Sequence, residues 1–92
     1  MGKYSVELTD TAREDLQHLF KSGNQALIKK VETLFVELSE HPKTGTGKPE
    51  QLKHLNNLWS RRLDKKNRML YTISEEIITV FIISMKGHYG DK

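Results

Sequence analysis

Six residues in the second half of the chain carry the side chains that metal-free cleavage of RNA requires: Glu50, Lys53, Arg62, Arg68, His88 and Tyr89. RNA brings its own nucleophile, the ribose 2′-OH. A protein that cuts it must take that proton, steady the pentavalent phosphorane and protonate the departing 5′ oxygen. Glu50 suits the base. His88 suits the acid, because an imidazole ordinarily titrates at about 6.5. Arg68, with Arg62 and Lys53 behind it, could hold the non-bridging oxygens, bidentately in the case of an arginine. Tyr89 could stack on a base or support the phosphate.

Each of these residues also has an ordinary reading. A glutamate after Lys-Pro is commonly a solvated loop residue, an arginine pair on a hairpin a solvated face, and a histidine near a C-terminus an idle surface group. On the residues alone, a basic binding module and an interaction domain stay open beside the ribonuclease. Other chemistries find less support. His18, His41 and His54 match no zinc spacing, no cysteine accompanies them, and no metal or other cofactor is expected. Gly47-Lys48 resembles the end of a phosphate-binding loop, but Pro49 replaces the Ser or Thr, and Pro42 stands where the first Gly belongs.

Length and charge narrow the classes further. Ninety-two residues make one domain spanning 1–92, with a single modest core. Fifteen Lys and Arg against twelve Asp and Glu leave a net charge of +3, which permits a polyanionic partner. The excess is local. From Lys43 to Arg68, Lys43, Lys48, Lys53, Arg61, Arg62, Lys65, Lys66 and Arg68 face only Glu50 and Asp64, so the remainder is net acidic. The absence of cysteine excludes disulfides and thiolate chemistry. No apolar run approaches the roughly 18 residues of a membrane span, and the N-terminus lacks a signal-peptide core. The expected location is the cytoplasm, with no membrane partner.

The elements that would position these groups follow from periodicity. Tyr4, Val6 and Leu8 alternate with polar neighbours as in a half-buried strand. Thr11 with Glu14 fits a capping box, which predicts a helix to about Lys21 with Ala12, Leu16, Leu19 and Phe20 inward. Leu27, Ile28, Val31, Leu34, Phe35 and Leu38 give a second helix from about Gln25 to Ser39, closed by His41-Pro42. Residues 42–49 read as a surface loop. Residues 50–57 fit either a short strand or an irregular approach. Asp64-Lys65-Lys66-Asn67 then marks the turn of a hairpin. An odd loop there places Trp59, Leu63, Met69, Tyr71 and Ile73 on one face and Ser60, Arg62 and Arg68 on the other. The β-branched run Ile77 to Ile83 reads as a strand central in the sheet. The fold class is α+β: strand, helix, helix, three strands, with a mostly antiparallel sheet and both helices on one face.

Gly47-Lys48-Pro49-Glu50-Gln51-Leu52-Lys53-His54, Leu58-Trp59-Ser60-Arg61-Arg62-Leu63, Asn67-Arg68-Met69-Leu70-Tyr71 and His88-Tyr89 are similar, in order and spacing, to the YoeB (Txe/YoeB) toxins of the RelE superfamily. The resemblance implies a RelE-like fold and a ribosome-dependent messenger RNA endonuclease of a bacterial type II toxin–antitoxin system. It assigns Glu50 as general base, Arg68 as transition-state clamp and His88 as general acid, with Lys53, Arg62 and Tyr89 assisting. It further implies a cognate antitoxin of the Phd/YefM kind, contact with operator DNA only through that antitoxin, and often a toxin homodimer. The rival is a RelE-like fold without nuclease activity, serving as an antitoxin-bound corepressor or a ribosome blocker. A plain basic binder of duplex DNA is the third possibility.

Overall fold

The first helix is set by a threonine with two tasks. Thr9 lies in extended backbone, and its hydroxyl oxygen accepts from the Ala12 N–H at 3.1 Å while its O–H donates to the Ile83 carbonyl at 2.8 Å. The cap is therefore Thr9 rather than Thr11, because only Thr9 can serve the helix and the neighbouring strand together. In the computed structural model, which describes residues 3–45, 47, 49–52 and 57–85, β1 (Ser5–Leu8) leads into α1 (Asp10–Lys21) and α2 (Gln25–Glu40). The asparagine before α2 repeats the device: the Asn24 side chain accepts from the Leu27 N–H.

Four strands follow: β2 (Glu50–Gln51), β3 (Leu58–Arg62), β4 (Arg68–Ser74) and β5 (Thr79–Ser84). The sheet order is β1-β5-β4-β3-β2, antiparallel except where β1 runs parallel to β5. Both helices lie on one face. Ala12 and Leu19 of α1 and Leu27, Val31, Leu34 and Leu38 of α2 pack with Met69, Tyr71, Ile73, Val80 and Ile82 into one core. Their spacing is the apolar stripe of an amphipathic helix. Phe20 departs from the expected inward set, since it falls at the margin of the α1 stripe and is 47% exposed. None of the described helices is long and apolar enough to cross a membrane.

The β-branched run is divided differently from its appearance in sequence. Ile77 and Ile78 belong to the turn between β4 and β5, because pairing Ser74 with Thr79 leaves four residues to reverse the chain. The middle strand is β4, and β5 lies one place out, paired on both sides. Ile78 takes φ +49°, a left-handed conformation that a β-branched side chain enters only with strain. Its carbonyl accepts from the Ser5 N–H at 3.0 Å, which holds it there. Ile78→Asn is expected to raise stability by about 0.5–1 kcal/mol, because asparagine tolerates this region. Thermal unfolding checks this, and an unchanged or lower midpoint would count against the strain.

Candidate active site

A five-residue loop decides which side chains of the β3–β4 hairpin share a face. The Asp64 carboxylate accepts from the N–H groups of Lys66 at 2.8 Å and Asn67 at 2.7 Å, and the Leu63 N–H donates to the Asn67 carbonyl at 2.9 Å. An aspartate folding back on its own turn in this way stabilises the reversal locally. Register follows. Arg62 stands opposite Arg68, and Ser60 opposite Leu70. The odd loop expected from sequence is present, and Met69, Tyr71 and Ile73 turn into the core. Arg62 and Arg68 project from the face away from the helices.

Directly opposed residues in an antiparallel pair place their Cβ atoms about 4.5–5.5 Å apart. Two guanidiniums so placed repel, and among the described residues neither Arg62 nor Arg68 forms a salt bridge. One phosphate is within reach of both. Glu50 joins them from β2, since it pairs with Ser60 and so shares its face. Its carboxylate is exposed and makes no hydrogen bond among the described residues. A carboxylate and two arginines therefore line one side of the sheet, with Ser60 on β3 paired to Glu50 on one side and Leu70 on the other.

The loop before β2 is pinned to the same place. The Arg62 N–H donates to the Gly47 carbonyl at 2.7 Å, and Leu52 N–H donates to Leu58 O at 2.8 Å, so Gly47 and residues 49–52 lie along the edge of β3. Gly47 has φ +83°, and a Cβ there would lie 2.8 Å from the Arg62 carbonyl oxygen. Only glycine allows that approach. Glu50 is delivered to the face by this contact, three residues beyond it.

The residue next to Arg62 does the opposite of what its charge suggests. Arg61 is fully buried. Its Nη1 donates to Glu37 Oε1 at 2.7 Å, its Nη2 to the carbonyls of His41 at 3.0 Å and Thr44 at 2.7 Å, and its Nε to the Tyr71 hydroxyl at 3.2 Å. The Tyr71 hydroxyl in turn donates to the Pro42 carbonyl at 2.8 Å. Burial pushes the Tyr71 phenol above its ordinary value of 10.0, and the adjacent Arg61 pulls it partly back. This network clamps the end of α2 and the start of the 42–49 loop onto the sheet. From sequence, Arg61 counts only toward the basic excess of residues 43–68 and is given no structural role. Parity on β3 was the available signal: position 61 lies between Trp59 and Leu63, both assigned inward.

Of the expected site residues, Glu50, Arg62 and Arg68 come together on one face. Lys53, His88 and Tyr89 lie outside the described residues. Met85 precedes His88 by three positions; it is buried, and its N–H donates to the Asp15 carboxylate of α1 at 3.0 Å. Among the described residues no group of three His, Asp or Glu is arranged to hold a metal ion.

Comparison with known proteins bears on the fold and the family. A family model described as the YoeB-like toxin of bacterial type II toxin–antitoxin systems matches residues 8–89. The toxin YoeB of Synechocystis is 37% identical over 71 residues, covering 76% of this chain and 80% of that protein. The YoeB dimer from Staphylococcus aureus superposes with a TM-score of 0.79 at 28% identity, covering 95% of this chain and 99% of its own. The YoeB–YefM complex from the same organism gives a TM-score of 0.76 at 31% identity over 94% and 98% of the two chains. With its fold and a family match over most of its length, the chain belongs to the YoeB-like toxins of bacterial type II toxin–antitoxin systems.

Proposed function

We propose that this toxin is an endoribonuclease that cuts messenger RNA on the ribosome. The observation that carries the reading is the opposed Arg62–Arg68 pair, uncompensated among the described residues, with the Glu50 carboxylate on the same face. A sequence that keeps two like charges across a strand pair gains from an anion between them. Glu50 takes the 2′-OH proton, the 2′ oxygen bonds to phosphorus, and the bond from phosphorus to the 5′ oxygen breaks. His88 gives its proton to that leaving oxygen. The products are a 2′,3′-cyclic phosphate and a free 5′-OH. Arg68 takes up the charge on the non-bridging oxygens, Lys53 and Arg62 support it, and Tyr89 holds the base or phosphate. The scheme uses no metal or other cofactor.

A net charge of +3 binds free RNA weakly and with strong salt dependence, so a larger host must present and distort the strand. The ribosome fills that role. The S. aureus relatives, solved as a dimer and with YefM, support a YefM-like antitoxin as partner and a homodimer as the toxin's own assembly. Operator DNA is reached only through the antitoxin. Primer extension on translated messenger tests the reading. New 5′-OH ends are expected with the wild type and not with Glu50→Ala or His88→Ala; stalling without new ends would instead identify a ribosome blocker.

A further inference from the structure

Ser60 is 1% exposed, and its hydroxyl has no hydrogen-bond partner among the described residues. Buried hydroxyls are normally paired, and an unpaired one destabilises the fold. Its position gives the orphan a meaning. Ser60 sits on the face of Arg62 and Arg68, with Glu50 opposite it on β2 and Leu70 opposite it on β4. Leu58 and Arg62 flank it along β3. Of these four side chains only the Glu50 carboxylate can accept a hydrogen bond, since leucine is apolar and a guanidinium only donates.

We infer that Ser60 is a positioning residue for Glu50: when RNA is engaged, the Glu50 carboxylate turns in from solvent and accepts the Ser60 O–H. The inference rests on the nuclease reading of this face. A glutamate on a two-residue edge strand has three side-chain torsions to fix before it can meet a 2′-OH in line, and a donor on the rigid neighbouring strand removes that freedom. The hydroxyl waits unpaired in the free toxin because its acceptor is out in water. Strain of this kind at a working site is kept for activity at the expense of stability.

The test compares wild type, Ser60→Ala and Ser60→Thr by thermal unfolding, ribosome affinity and single-turnover cleavage of ribosome-bound messenger at saturating toxin. Ser60→Ala is expected to melt at or above the wild-type temperature and to bind ribosomes equally. It should cleave about 10- to 100-fold more slowly, the range carried by one charge-assisted hydrogen bond. Ser60→Thr, which keeps the hydroxyl, should restore most of the rate. An undiminished rate in Ser60→Ala, a Ser60→Thr variant as slow as the alanine, or a loss confined to ribosome affinity would each overturn the inference. A wild type that does not cleave would overturn the nuclease reading itself, and the Ser60 inference with it.

Discussion

Arg68→Ala is expected to slow cleavage of ribosome-bound messenger by about 10²–10³-fold, the usual effect of removing one preorganised donor from a developing charge. Stability should move the other way or not at all. Arg68 faces Arg62 with no carboxylate in salt-bridge contact among the described residues, so deleting it relieves a repulsion and breaks no described ion pair. Arg68→Lys should recover only part of the rate, because an ammonium cannot grip two phosphate oxygens in one plane. Growth arrest on expression, single-turnover rates and thermal unfolding together check this. Full toxicity in a folded Arg68→Ala variant would remove the clamp from the account.

Arg61→Ala, seven positions away in sequence and on the opposite face, is expected to destabilise the protein by about 3–5 kcal/mol, the range for removing one partner of a buried ion pair. A small domain has about 5–15 kcal/mol in all, so this loss removes a large share of the stability and should lower the unfolding midpoint markedly. The reason is the number of groups left behind. Glu37 keeps a carboxylate that is only 17% exposed, and the carbonyls of His41 and Thr44 and the Tyr71 hydroxyl lose a shared donor. Removing both charges with Arg61→Met and Glu37→Leu should recover only part of the loss, since the two carbonyls still lack Arg61. Denaturant unfolding of the single and double variants measures this. A wild-type midpoint for Arg61→Ala would show that the network is dispensable. Arg62→Ala should stay folded, so two adjacent arginines are separated by which side of β3 they occupy.

That contrast shows what was legible in the sequence. Alternation along 59–63 and 69–73 fixed the hairpin register once one face was taken as core, and the placement of Arg62, Arg68 and Ser60 followed from it. The same alternation put Arg61 inside, yet a charge beside another charge reads as surface until its acceptors are known. Glu37 lies on α2 and the carbonyls lie in the following loop, so no local pattern reveals them. Thr9 was hidden for a similar reason: the capping box at Thr11 and Glu14 is the stronger local pattern, and the Ile83 carbonyl that favours Thr9 is 74 residues away. Ile77 and Ile78 read as strand by composition because the length of the turn is set by pairing with β1 and β4. Glu50 was a candidate only as a carboxylate able to act as base beside the sheet, since a glutamate after Lys-Pro ordinarily reads as solvated loop; its face depended on pairing with Ser60, which a two-residue strand cannot announce.

The central claim is that the protein supplies a base and a charge clamp to a nucleophile that belongs to the RNA. A messenger carrying a single 2′-deoxy nucleotide at the cleaved position, programmed into ribosomes, tests this most directly. The account predicts that wild-type toxin binds this complex as it binds the all-ribose one and leaves the deoxy site uncut, while the all-ribose control yields 5′-OH ends. Cleavage at the deoxy position at the control rate would contradict it.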